Sequence, residues 1–143
     1  MLPQLSHRRL LQRRLLGCHG WLLLTVGTIA VSAACWGQVA GSGPFAYLHA
    51  NRVAAVGFIE AYGLAALLGI GLRLAATADH LRRWHILAAL VHAGLFTVNL
   101  AFWDLYAHLG LVPAGWIATA SHALLALLES AAAIGAPDHA PAP

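Results

Sequence analysis

Between Leu15 and Asn51 the chain carries no Asp, Glu, Lys or Arg, a stretch far longer than any soluble helix can keep free of charge. Three more such runs follow: about Val53 to Leu72 with Glu60 inside it, Trp84 to Ala107 with Asp104, and Ala114 to Ile134 with Glu129. Runs of roughly 20 apolar residues match the thickness of a bilayer when wound as helix. They lack the strict alternation that a membrane β-barrel needs. Hydrophobic residues make up 60% of the chain and charged ones 9%, which sets it among membrane proteins. The spacing therefore predicts an all-α polytopic membrane protein, a four-transmembrane-helix antiparallel bundle with spans at about 16–39, 53–72, 84–107 and 114–134. Residues 1–15 are expected as a basic cytoplasmic N-terminus, 16–135 as the transmembrane domain, and 136–143 as a disordered tail.

Charge placement orients the bundle. All eight cations are Arg. Seven of them, Arg8, Arg9, Arg13, Arg14, Arg73, Arg82 and Arg83, fall on one side of the alternating spans, and only Arg52 on the other. An excess of cations marks the cytoplasmic side, so both termini are expected inside. Trp21 and Trp84 fall near the inner boundary and Trp36, Trp103 and Trp116 near the outer one, as interfacial aromatics do. The basic pI reflects this topology, and no nucleic-acid partner is expected; the partner is the lipid bilayer. Arg without Lys, in a chain rich in Ala, Leu and Gly, reads as GC-rich codon bias and points to a bacterial inner membrane. A signal peptide ending at the lipobox-like VSAAC is the competing reading of the first span. Ser32 stands where an aliphatic residue is preferred and the apolar run is long, so a retained span is expected. Cys18 and Cys35, roughly 25 Å apart along one predicted helix, cannot pair there.

Polar residues inside the spans carry the functional signal. His85, His92, Asn99 and Tyr106 recur every seven residues, which is close to two helical turns and lines one stripe. His122 and Glu129 repeat the period on the fourth span. If the third and fourth spans fold about Gly110 and Leu111, residues at equal depth have numbers that sum to 221. His92 then meets Glu129, Asn99 meets His122, and Tyr106 meets Gly115. Folding about the inner turn near His80 brings Glu60 to the level of Asn99 and His122. Two layers are expected: an outer one of Glu60, Asn99 and His122, with Asp104, Tyr106, His49 and His108 nearer the exterior, and an inner one of His92 and Glu129, flanked by His85 and His19.

Ionised groups at bilayer depth are costly unless paired, and a carboxylate beside a histidine is chemistry that a proton relay uses. The candidate ligand- or ion-binding residues are thus Glu60, His92, Asn99, His122 and Glu129. A metal ion is the possible cofactor, with His49, Glu60, Asp104, His108 and His122 as its candidate ligands, although no local motif such as HExxH supports it. A b-type haem is disfavoured for a single chain, because the same register sets His92 and His122 about seven residues apart in level. No activated nucleophile is visible, so a stand-alone enzyme is not the favoured reading. Gly57, Ala61, Ala65 and Gly69 form a small-residue ladder that serves either packing within the chain or the seam of a homodimer or larger membrane complex. The expectation is a small integral membrane protein with a buried His/Glu seam, an accessory subunit or ion- or ligand-binding protein. The alternatives are a component of a proton or metal-ion pathway and a membrane enzyme or cofactor-binding protein acting on a lipid or quinone.

Overall fold

The structure is a computed structural model that describes residues 2–135, and it is helical throughout. Helix α1 spans Leu2–Ala40, α2 Arg52–Ala75, α3 Leu81–Ala101, α4 Trp103–His108 and α5 Val112–Ile134, with a short 3₁₀ helix at Ala46–Ala50. Four of the helical segments are long and apolar enough to cross a membrane: His7–Ala40, Arg52–Ala75, Leu81–Ala101 and Val112–Ile134. The expected disordered tail at 136–143 lies outside the described residues. What the chain exposes agrees with a lipid surround. Leu64, Leu67, Leu127 and Ile134 face outward, while fully buried positions include His85, His92 and Glu129. That is the reverse of a soluble protein's distribution.

The described residues divide into two compact units, 14–77 and 2–13 with 78–135. In the first, α1 and α2 approach so closely that side chains are excluded between them. A Cβ on Gly69 would lie 2.5 Å from the backbone nitrogen of Leu24 and 2.7 Å from the carbonyl oxygen of Gly20. One on Gly27 would lie 2.7 Å from the carbonyl oxygen of Tyr62. Only glycine fits such backbone contacts, and small residues are how helices attract one another where no hydrophobic effect drives them together. The ladder expected on α2 is therefore split. Gly69 is consumed by α1, whereas Gly57 has nothing within 4 Å of where its Cβ would stand. The physical reason is drift: positions four apart advance about 40° per step around a helix, so the twelve residues from Gly57 to Gly69 turn about 120°. The contacts follow a seven-residue period instead, through Gly20 and Gly27 on α1 and Tyr62 and Gly69 on α2. Beyond this seam Ala34, Leu48 and Ala55 form a small apolar cluster under Phe45, Phe58 and Ile59. Asn51 starts α2, its side chain accepting the Ala54 N–H at 3.0 Å.

In the second unit α3 and α5 pack side by side, and α4 turns between them. The third predicted span, 84–107, is two helices. Phe102 leaves helical geometry at φ −112° and ψ 31°, and α4 starts a new segment. Gly110, at φ +68°, closes α4 with paired bonds from Gly110 N–H to the Ala107 carbonyl and from Leu111 N–H to the Tyr106 carbonyl. This is a Schellman stop, with glycine at the left-handed position. Pro113 follows within the first turn of α5. Residues 2–15, the basic stretch, are part of α1; Leu, Arg and Gln all favour helix. Their inner end joins this unit, where Gln12 donates to the Ala132 carbonyl at 3.0 Å and Arg9 pairs with Asp79 at 3.1 Å.

Candidate functional site

The α3/α5 seam is keyed by polar side chains where the α1/α2 seam is keyed by glycine. His85 Nδ1 and Glu129 Oε2 are hydrogen-bonded, and both side chains are fully buried. One heptad along, His92 Nδ1 and His122 Nδ1 stand 2.8 Å apart, their rings 5.0 Å between centroids and tilted by 32°. Each of these hydrogen bonds requires a proton on one of its two members. In the imidazole pair, one ring must donate and the other accept, so the two rings hold different tautomers when both are neutral. His92 is almost entirely buried and His122 partly so. A further heptad along, Asn99 accepts from the Tyr106 hydroxyl at 3.0 Å. Thr119 is buried on α5 between His122 and Gly115.

The period read from the sequence is present, but the register is one heptad away from the expected one. Glu129 pairs with His85 in place of the expected His92, and His122 pairs with His92 in place of the expected Asn99. Tyr106 nevertheless lies against Gly115, where a Cβ would meet its ring at 2.8 Å. The two facts are reconciled by the break at Phe102. From the His92/His122 level to the Tyr106/Gly115 level, the α3–α4 side uses fourteen residues and α5 only seven. The surplus, about 10 Å of continuous helix, is absorbed as α4 leaves the line of α3. Asn99–Tyr106 bridges the break, and Trp103 packs edge-on against Trp116 with centroids 4.7 Å apart. Turn length alone therefore does not fix the register. The separation of His92 and His122 by about 10 Å in level, which followed from it, does not hold either.

Of the residues expected in an outer layer, Asn99 accepts from Tyr106 and His122 stands against His92, all within the second unit, and Glu60 is an exposed residue of α2 in the first. Among the described residues no three His, Cys, Asp or Glu side chains are grouped to hold a metal ion. His49 donates to the Gln38 carbonyl at 2.8 Å, Asp104 and His108 are exposed on the short α4, and His122 faces His92. His85 is the chief addition. It belongs to the seven-residue stripe in the sequence yet falls outside the candidate set, because the assumed register puts its level beyond Glu129. Gln12 and Thr119 carry no sequence signal of their own; each is a single polar residue at a position only packing reveals.

Chemically, the seam is two hydrogen-bonded titratable pairs between α3 and α5, with Thr119 and Asn99 as further polar residues along it. Between the two pairs Ala88 and Ala89 are the buried residues of α3, so no large side chain fills the interval on that helix. His85 Nε2, Thr119 Oγ1 and Asn99 Nδ2 are buried polar atoms without a hydrogen-bond partner among the described residues. No family model, curated protein or solved structure matches the chain.

Proposed function

We propose that this is a four-span bacterial inner-membrane protein with both termini cytoplasmic, whose α3/α5 seam holds and passes protons as a component of a larger membrane assembly. The observation that carries the reading is the fully buried His85–Glu129 pair with a second titratable pair, His92–His122, one heptad further along the same seam. Register alone does not require ionisable groups, since Ser, Thr or Asn would serve, and ionisable residues within spans are by default read as functional sites, proton relays among them. In the relay, a proton shared by His85 and Glu129 exchanges with the one shared by His92 and His122, through water across about 10 Å. Ala88 and Ala89, buried between the two histidines, keep that interval free of bulk on α3. The arginine distribution supports the orientation, with His85 and Glu129 toward the cytoplasmic side and Asn99 and Tyr106 toward the opposite one. A metal-ion reading has less support, because among the described residues no three His, Cys, Asp or Glu side chains are grouped to hold an ion.

The test is proton flux into liposomes containing the purified chain, driven by a potassium diffusion potential and read with an entrapped pH dye. The parent protein should exceed protein-free vesicles, and Glu129→Gln should lower the flux at least tenfold while leaving helical content and elution volume unchanged. Parent vesicles as tight as empty ones would end the relay reading.

A further inference from the structure

Glu60 is the one ionisable side chain of α2 between its terminal arginines, apart from the Tyr62 phenol, and the fold leaves it outward. It sits about 12 Å along the helix from Arg52, well inside the apolar segment. Nine residues separate it from Gly69, which at about 100° per residue puts it half a turn away from the face that α1 covers. It has no hydrogen bond or ion pair among the described residues. An outward carboxylate at bilayer depth is disfavoured by several kcal/mol unless a partner meets it. The ground beside it is low. Gly57, one turn before it, has nothing within 4 Å of the position a Cβ would take, and Ala61 is its immediate neighbour.

We infer that Glu60 docks a transmembrane helix of another polypeptide that carries a basic residue, Lys or Arg, at matching depth, with Gly57 letting the two backbones approach. Charge complementarity selects this occupant over a second copy. Every Arg of this chain lies in the basic opening stretch of α1 or at an end of α2 or α3, so a second copy at equal depth would present another Glu60 and no cation. The inference deepens the reading of the protein as one component of an assembly, but it does not depend on the proton relay in the α3/α5 seam.

The experiment uses the full chain in phosphatidylcholine vesicles with a synthetic Leu/Ala helix of roughly 20 residues. One version bears a single Lys about 12 Å from one end, and a control bears Leu there. Energy transfer between labelled chain and labelled helix reads the association. The Lys helix should bind at least tenfold more tightly than the control. Glu60→Gln should abolish that difference, and Gly57→Leu should weaken binding of the Lys helix without altering the fold. Equal binding of the two helices overturns the inference, as does transfer between two copies of the chain that Glu60→Gln removes. Neither result bears on proton flux, so the two readings fail independently.

Discussion

Glu129→Ala is the substitution that most directly weighs the α3/α5 seam. It removes the partner of His85 Nδ1 in a site where both side chains are fully buried and where His85 Nε2 has no hydrogen-bond partner among the described residues. A buried polar group left unsatisfied costs about 1–3 kcal/mol. Truncation from Glu to Ala also empties roughly 50 Å³, which at about 24 cal/mol per Å³ adds about 1 kcal/mol if the helices do not collapse onto it. The expected loss is thus about 2–4 kcal/mol. Glu129→Gln, which keeps an acceptor for the imidazole N–H, should cost about 1 kcal/mol. The second half of the experiment is a cycle with His85→Leu. Because unfolded segments inside a membrane also find hydrogen-bond partners, the coupling energy should be smaller than the single losses, about 1–2 kcal/mol. The assay is reversible unfolding in mixed micelles, titrated with SDS and followed by circular dichroism. If Glu129→Ala stays within about 0.5 kcal/mol of the parent and adds linearly to His85→Leu, the pair does not hold the helices and the reasoning is refuted.

Four further predictions concern the rest of the chain. Gly69→Ala should destabilise the α1/α2 unit by about 1–3 kcal/mol in the same titration, since its Cβ would meet the Leu24 and Gly20 backbones within 2.7 Å. Gly57→Ala, with nothing near, should be neutral or stabilise by up to about 1 kcal/mol; equal losses at both sites would contradict the helix facing described above. Arg9→Ala removes an ion pair whose Asp79 partner is 72% exposed, so the midpoint should move by no more than about 0.5 kcal/mol. An alkaline phosphatase fusion after Gly41 should be active outside the cytoplasm and one after Asp79 inactive, and the reverse pattern would overturn the proposed orientation.

The heptad of His85, His92, Asn99 and Tyr106 and its echo in His122 and Glu129 are legible because periodicity is local. A residue's place around a helix depends only on the 3.6-residue turn, so two stripes of equal period are able to face each other. Their register is not legible, because it depends on how many residues the connection consumes. Nothing in LAFWDLYAHLG announces a break at Phe102, since neither Pro nor Gly stands there; the Asn99–Tyr106 bond, the Trp103–Trp116 contact and the ring of Tyr106 on Gly115 accompany it. The same limit explains Glu60. Its depth follows from counting, but the face it occupies depends on which side of α2 meets α1. The ladder of Gly57, Ala61, Ala65 and Gly69 points to a different side from the one that the seven-residue contacts of Gly69 and Tyr62 use.

Sequence by itself thus determined the four apolar segments, their capacity to span a bilayer and the seven-residue spacing of the polar groups within them, all consequences of hydrophobicity and helical period along one chain. Tertiary structure decided which groups meet: His85 with Glu129, His92 with His122, and glycine against backbone between α1 and α2. The physical reason is that sliding one heptad leaves every stripe facing inward. The period tolerates several registers, and only close packing at Gly69 and Gly115 and the break at Phe102 distinguish among them.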